Sequence, residues 1–166
     1  MVTVSPPDSR SPECWQYSLR LPYDPRAARI ARVTVRAILS SHGREDILDV
    51  VELLTSELVT NAYQHTKGPS SVRLVALLGG RLRVFVWDDS PHVPPRFDDS
   101  EAAPPPPPLP SMDTDQGRGL FLVQQCAQRW GCWPLEGGGL GRGGGKLMWF
   151  EVGGGEDEGA YRCVAA

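Results

Sequence analysis

The order of elements along the chain predicts an α+β fold: a two-layer α/β sandwich with helices on one face of a mixed, mainly antiparallel sheet. Three observations carry that expectation. Two stretches of helical period follow one another between residues 24 and 63, two alternating apolar runs then flank Gly79-Gly80, and a long proline-rich interruption precedes a third helical stretch and two closing strands. A chain of 166 residues is one domain with room for a real core. The folded unit is placed at 15–152, with flexible tails at 1–14 and 153–166.

Each element has its own local reason. Trp15 to Leu21 alternates loosely and reads as a strand. Asp24-Pro25 reads as a helix N-cap followed by proline in the first turn. The helix then runs to about Ser41, with Ile30, Ala31, Val35 and Ile38 at helical spacing and Gly43 suited to its C-terminal end. A second helix covers about Glu45 to Tyr63. Ser71 to Leu78 and Arg81 to Trp87 form strands around a two-residue Gly79-Gly80 turn. In the second of them Leu82, Val84 and Val86 share one face, while Arg81, Arg83 and Phe85 share the other, so one side is packed and the other partly wet. Residues 88–116 lose regular pattern and hold the run Pro104 to Pro108. A loop of that length is either functional or disordered, and its prolines read as a stiff polyproline II spacer or a docking site for an SH3-like partner. Gly117 opens a third helix to about Arg129. Trp130–Trp133 and Lys146–Val152 are the closing strands, joined by a glycine-rich hairpin.

Composition removes several function classes. A net charge of −3 and a pI near 5.6 argue against direct nucleic-acid binding, which wants a basic face. No run approaches the roughly 18 apolar residues of a membrane span, and the N-terminus lacks the pattern of a signal peptide. Cys14, Cys126, Cys132 and Cys163 form no C-x-x-C pair and the three histidines are scattered, so a zinc site is not expected. A Cys126–Cys132 disulfide is one reading of the cysteines. Free thiols in a reducing cytoplasm are the other, and the cytoplasm is the compartment expected.

The chemistry is concentrated in three places. On the second helix Val50, Leu54, Glu57 and Asn61 lie along one stripe, since residues three or four apart stack above one another. A stripe that starts apolar and ends in a carboxylate and a carboxamide lines a polar pocket, unless that helix end simply faces solvent. An Asn oxygen suits Mg²⁺, which keeps waters and takes other ligands from phosphates. A Glu one turn earlier can polarise a hydroxyl or a water. Asp88 ends an apolar strand and can accept a hydrogen bond from an exocyclic amine such as that of adenine, or it can merely start a turn. Gly117-Arg118-Gly119 opens a helix, where bare backbone and free N–H groups suit a phosphate, although glycine hinges beside loops are common.

In this order and spacing the motifs resemble the N, G1 and G2 boxes of the GHKL (Bergerat-fold) ATPases. Ser56-Glu57-Leu58-Val59-Thr60-Asn61-Ala62-x-x-His65 and Gly117-Arg118-Gly119-Leu120-x-Leu122-Val123 are similar to those of bacterial anti-sigma-factor serine/threonine kinases, as is Gly144 to Glu151 to their closing strand. The resemblance covers Tyr17 to Val152. It implies ATP and Mg²⁺ as cofactors, Asn61 as metal ligand and Glu57 as general base toward a partner's serine. It further implies Asp88 as reader of the adenine amino group, and Gly117, Arg118, Gly119 and Leu120 at the phosphates and the hinge of an ATP lid spanning 88–116. His65 is given a structural role at the pocket edge.

Two departures stand out. The box beginning at Asp88 continues Asp89-Ser90-Pro91-His92, without the two glycines usual there. Lys146-Leu147 stand where the closing strand often carries a threonine, removing a polar contact to adenine or giving Lys146 another role.

The resemblance therefore implies an ATP-binding anti-sigma factor with serine/threonine kinase activity, whose partners are a sigma factor and an anti-sigma antagonist. The alternative is a non-catalytic, nucleotide-gated partner-switching module with weak or no ATP binding. Autonomous ATP hydrolysis and histidine autophosphorylation fit less well, and a homodimer is a further partner to be considered. Arg26, Arg29, Arg32 and Arg36 on the first helix form either a face for an acidic partner or a solvated helix surface.

Overall fold

The computed structural model describes residues 14–94, 97, 118–135 and 144–154. Most of the proline-rich segment, the glycine-rich hairpin, Gly117, Cys163 and nearly all of both tails lie outside the described residues, and so do the expectations attached to them. Within them the chain order is β1 (Gln16–Leu21), α1 (Ala27–Ser41), α2 (Glu45–His65), β2 (Ser70–Ala76), β3 (Arg81–Asp88), α3 (Arg118–Cys126), β4 (Arg129–Leu135) and β5 (Gly145–Gly153). The strands form one sheet in the order β1-β2-β3-β5-β4. All four pairings are antiparallel, so the sheet is simpler than the mixed one expected.

Strand alternation decides which face the helices cover. Leu82, Val84 and Val86 on β3 are buried, and so are their cross-strand neighbours Val72, Leu74, Met148, Phe150 and Val152. Their common face packs with the apolar stripes of α1 (Ala27, Ala31, Val35, Leu39) and α2 (Val51, Leu54, Leu58) into one core cluster. Ile30, expected on the buried stripe of α1 with Ala31 and Val35, is exposed; those two are buried, together with Ala27 and Leu39. On the opposite sheet face the Glu151 carboxylate is buried and paired with Arg83, with Arg81 at 3.6 Å and Arg129 at 3.9 Å. Arg83 also stacks over Trp149, 4.7 Å from its ring centroid. On β3 this face is exposed at Arg81 and half-buried at Arg83 and Phe85, so it is partly wet, as expected.

Two local details differ from the expected ones. Asp24 does not cap α1 directly; its carboxylate accepts the Arg26 N–H at 2.7 Å and holds the Arg26 guanidinium, and the helix begins at Ala27. The β2–β3 connection spans residues 77–80 and contains a short 3₁₀ turn, Leu78–Gly80. Leu77 N–H donates to the Arg81 carbonyl at 2.8 Å, which closes the hairpin before Gly79 and Gly80 are reached. The α1 terminus does match its signal. Gly43 sits at φ +64°, Gly43 N–H donates to the Ser40 carbonyl and Arg44 N–H to that of Leu39, a Schellman closure.

Cys126 is disulfide-bonded, while Cys14 and Cys132 are free. That overturns both the Cys126–Cys132 bridge and the expectation of four free thiols. Close spacing in sequence does not bring two thiols together when one ends a helix and the other lies in a strand.

Candidate functional site

Chain direction brings the C-terminal ends of α2 and β3 to one end of the sandwich. Helix α2 ends at His65 and the chain enters β2 at Ser70, where Ser71 pairs with Trp87 of β3. The C-terminal ends of α2 and β3 therefore meet. Asp89 confirms the proximity: a Cβ on Gly68, just past α2, would collide with its carboxylate. The start of β5 arrives at the same edge, with Asp88 directly opposite Lys146.

Glu57 and Asn61 lie one turn apart on α2, both half-buried, beyond the fully buried Leu54 on the same stripe. The first turn of α3 packs against Glu57. Gly119 is the second residue of that helix, and a Cβ there would collide with the Glu57 carboxylate and lie 3.1 Å from its Cβ. A carboxylate so placed faces the positive end of the helix dipole. On its other side Glu57 lines a cavity of about 240 Å³ between α1 and α2, together with Arg32, Arg36, Glu52 and Ser56. Burial pushes the Glu57 carboxyl above its ordinary range, opposed by the charge of Arg32. A carboxylate with a raised proton affinity is suited to taking a proton from a hydroxyl.

Asp88 is in a different state. Its side chain and that of Lys146 are each 2% exposed, and Lys146 Nζ donates to Asp88 Oδ1 at 2.9 Å. The same Oδ1 accepts the backbone N–H of Ser90 at 2.9 Å, so the segment after β3, which lacks the glycines usual in the resembled motif, closes as an Asx turn. Cys132 is buried beside this pair, and burial holds its thiol up at about 11, so it stays protonated and unreactive near neutral pH.

The structure thus seats Gly119 against Glu57, with Asn61 one turn further along α2 and Leu120 partly buried against the core. Arg118 heads α3, and Gly117 lies outside the described residues. His65 is exposed at the last position of α2. The arginines expected to form one face of the first helix are in part occupied within the fold: Arg36 pairs with Glu52, and Arg26, just before α1, with Asp24. The expected set omitted a fixed partner for Asp88. Its signal was Lys146, a charged residue at the start of a mainly apolar strand, but the pairing depends on a register between segments 58 residues apart.

The donors can be weighed against ATP and Mg²⁺. At the phosphate end they fit: a glycine-faced helix start suits the phosphates, an amide oxygen suits a phosphate-bound Mg²⁺, and a carboxylate one turn away is placed as a base. Among the described residues no group of three or more His, Cys, Asp or Glu could hold a metal without such help. At the base end the fit is poorer, because the carboxylate is already paired. Among the described residues no helix is long and apolar enough to cross a membrane.

Residues 21–132 match the family model described as the histidine kinase-like ATPase domain, a span that includes Glu57, Asn61, Asp88 and Gly119. No curated protein matches the chain.

Proposed function

The chain belongs to the histidine kinase-like ATPase domain family, and from that premise we propose that it is an ATP-binding regulator that transfers phosphate to a serine or threonine of a partner protein. The observation that supports this most is the Glu57 carboxylate, raised in proton affinity and seated against Gly119 at the start of α3, one turn from Asn61. Phosphoryl transfer asks a protein chiefly for positioning, charge stabilisation and a base. The start of α3 would seat the phosphates on backbone N–H groups. Asn61 would hold Mg²⁺, which supplies charge neutralisation when bound. Glu57 would accept the proton of the incoming hydroxyl.

The partner reading rests on the motif resemblance. A sigma factor would be sequestered, and the phosphorylated serine would belong to its anti-sigma antagonist. Labelled ATP with a cognate antagonist tests the assignment: Glu57→Ala should keep nucleotide binding and lose transfer, and equal transfer by both proteins would sink it.

A second reading is favoured by the Asp88–Lys146 pair. With its base-reading carboxylate ion-paired to Lys146, the domain would switch partners with weak ATP binding or none. Calorimetry with Mg·ATP separates the two: micromolar binding supports the kinase, and absence of binding at millimolar nucleotide leaves the partner switch.

A further inference from the structure

The Asp88–Lys146 pair has a chemical consequence for which nucleotides the site accepts. A base amino group is recognised by an acceptor that is free and, for strength, charged. Asp88 Oδ1 already receives Lys146 Nζ–H and Ser90 N–H, and the ammonium neutralises the carboxylate at 2.9 Å. Lys146 is not a surface lysine that has folded inward. Backbone pairing sets it directly across from Asp88. The next ladder step is equally close, since a Cβ on Gly145 would collide with the Asp88 carbonyl oxygen and lie 3.0 Å from Trp87 Nε1. Withdrawing the ammonium would leave a carboxylate buried without a countercharge, which is strongly unfavourable. The other carboxylate of this segment, Asp89, is exposed and sits over Gly68, so it does not replace Asp88.

A carboxylate neutralised by a buried ammonium no longer acts as a lone charged acceptor. Adenine presents an amino donor next to a ring acceptor, and a 6-keto purine presents the reverse, a keto acceptor next to a ring N–H. A carboxylate alone prefers the first edge. A carboxylate with an ammonium beside it prefers neither.

We propose that Lys146 is a specificity-determining residue: by holding Asp88 in a buried pair it removes discrimination at the base, so the site takes purine nucleoside triphosphates by their phosphate end. This rests on the nucleotide-binding reading above. Asn61 and the start of α3 at Gly119 carry the binding, and the base end is indifferent to an amino or a keto group.

The test is calorimetric titration with Mg·ATP and Mg·ITP, which differ in that one group. The wild-type chain should bind the two within about fivefold of each other, whereas loss of a hydrogen bond to a free carboxylate would separate them by roughly tenfold or more. Lys146→Met frees Asp88 and should move the ratio past about tenfold in favour of ATP, while Lys146→Arg should leave it near unity. A wild-type preference for ATP of about tenfold or more overturns the proposal, as does a folded Lys146→Met whose ratio is unchanged. Should Lys146→Met fail to fold, judged by circular dichroism, the wild-type ratio decides alone. Failure of the nucleotide reading looks different: neither nucleotide nor inorganic tripolyphosphate would bind the wild-type chain, and both conclusions would fall.

Discussion

Removing one member of the Asp88–Lys146 pair is the sharpest available probe of how this fold is held together. At 2.9 Å the attraction is about 6 kcal/mol for an effective dielectric constant near 20. Each ion loses several kcal/mol of hydration when buried this deeply, so the pair as a whole is close to neutral for stability. The singles are not neutral. Lys146→Met leaves a carboxylate with no countercharge, Asp88→Asn leaves an ammonium, and each should cost about 3–5 kcal/mol. With a urea slope of about 2 kcal/mol/M, the unfolding midpoint should fall by roughly 2 M. The double variant Asp88→Asn/Lys146→Met should recover most of that loss, giving a large coupling energy in a double-mutant cycle. Urea titration followed by tryptophan fluorescence measures all four proteins. Singles that lose less than about 1 kcal/mol and add without coupling would show that the pair is solvated, and the argument from burial would fail.

Three further outcomes follow from particular backbone and side-chain positions. Gly43 is at φ +64° with no atom near enough to meet a Cβ, so Gly43→Ala should cost about 1–2 kcal/mol from backbone strain alone, read as a lowered melting temperature. In an ordinary helix Gly→Ala stabilises by about 1 kcal/mol. At Gly119 the Cβ would strike the Glu57 carboxylate, so Gly119→Ala should forgo that gain and weaken Mg·ATP binding; a stabilised variant with unchanged affinity would contradict the packing.

Glu57 has a raised carboxyl, so its contribution to stability is complete below the unfolded value of 4.5 and is lost as pH rises through the higher folded value. Glu57→Gln lacks that loss. The variant should therefore gain on the wild type between about pH 4 and pH 7, and parallel melting curves across that range would refute the shift.

Much of this architecture is written locally. The period of α2, the alternation in β3 and the glycine after α1 each follow from covalent geometry and burial, and each was legible from a few neighbouring residues. The polar end of the α2 stripe was legible for the same reason: Glu57 and Asn61 interrupt an apolar series at a spacing that only a helix makes continuous. Ile30 was misread because period alone does not say which of two adjacent apolar positions turns inward; the packing partner chooses. The Gly79-Gly80 turn was misread because a glycine pair permits a tight turn without requiring one.

What the sequence by itself determined is the set of groups available to the site and the elements that bear them. Only the tertiary structure decided their states. Glu57 acquired its raised proton affinity from burial beside α3, whose place depends on sheet and helix packing rather than on its own residues. Asp88 became half of an ion pair because β3 and β5 align in one register among many. Local geometry fixes which side chains share a face. Long-range pairing fixes which charges meet, and in a low-dielectric interior that meeting determines whether a carboxylate is free to act.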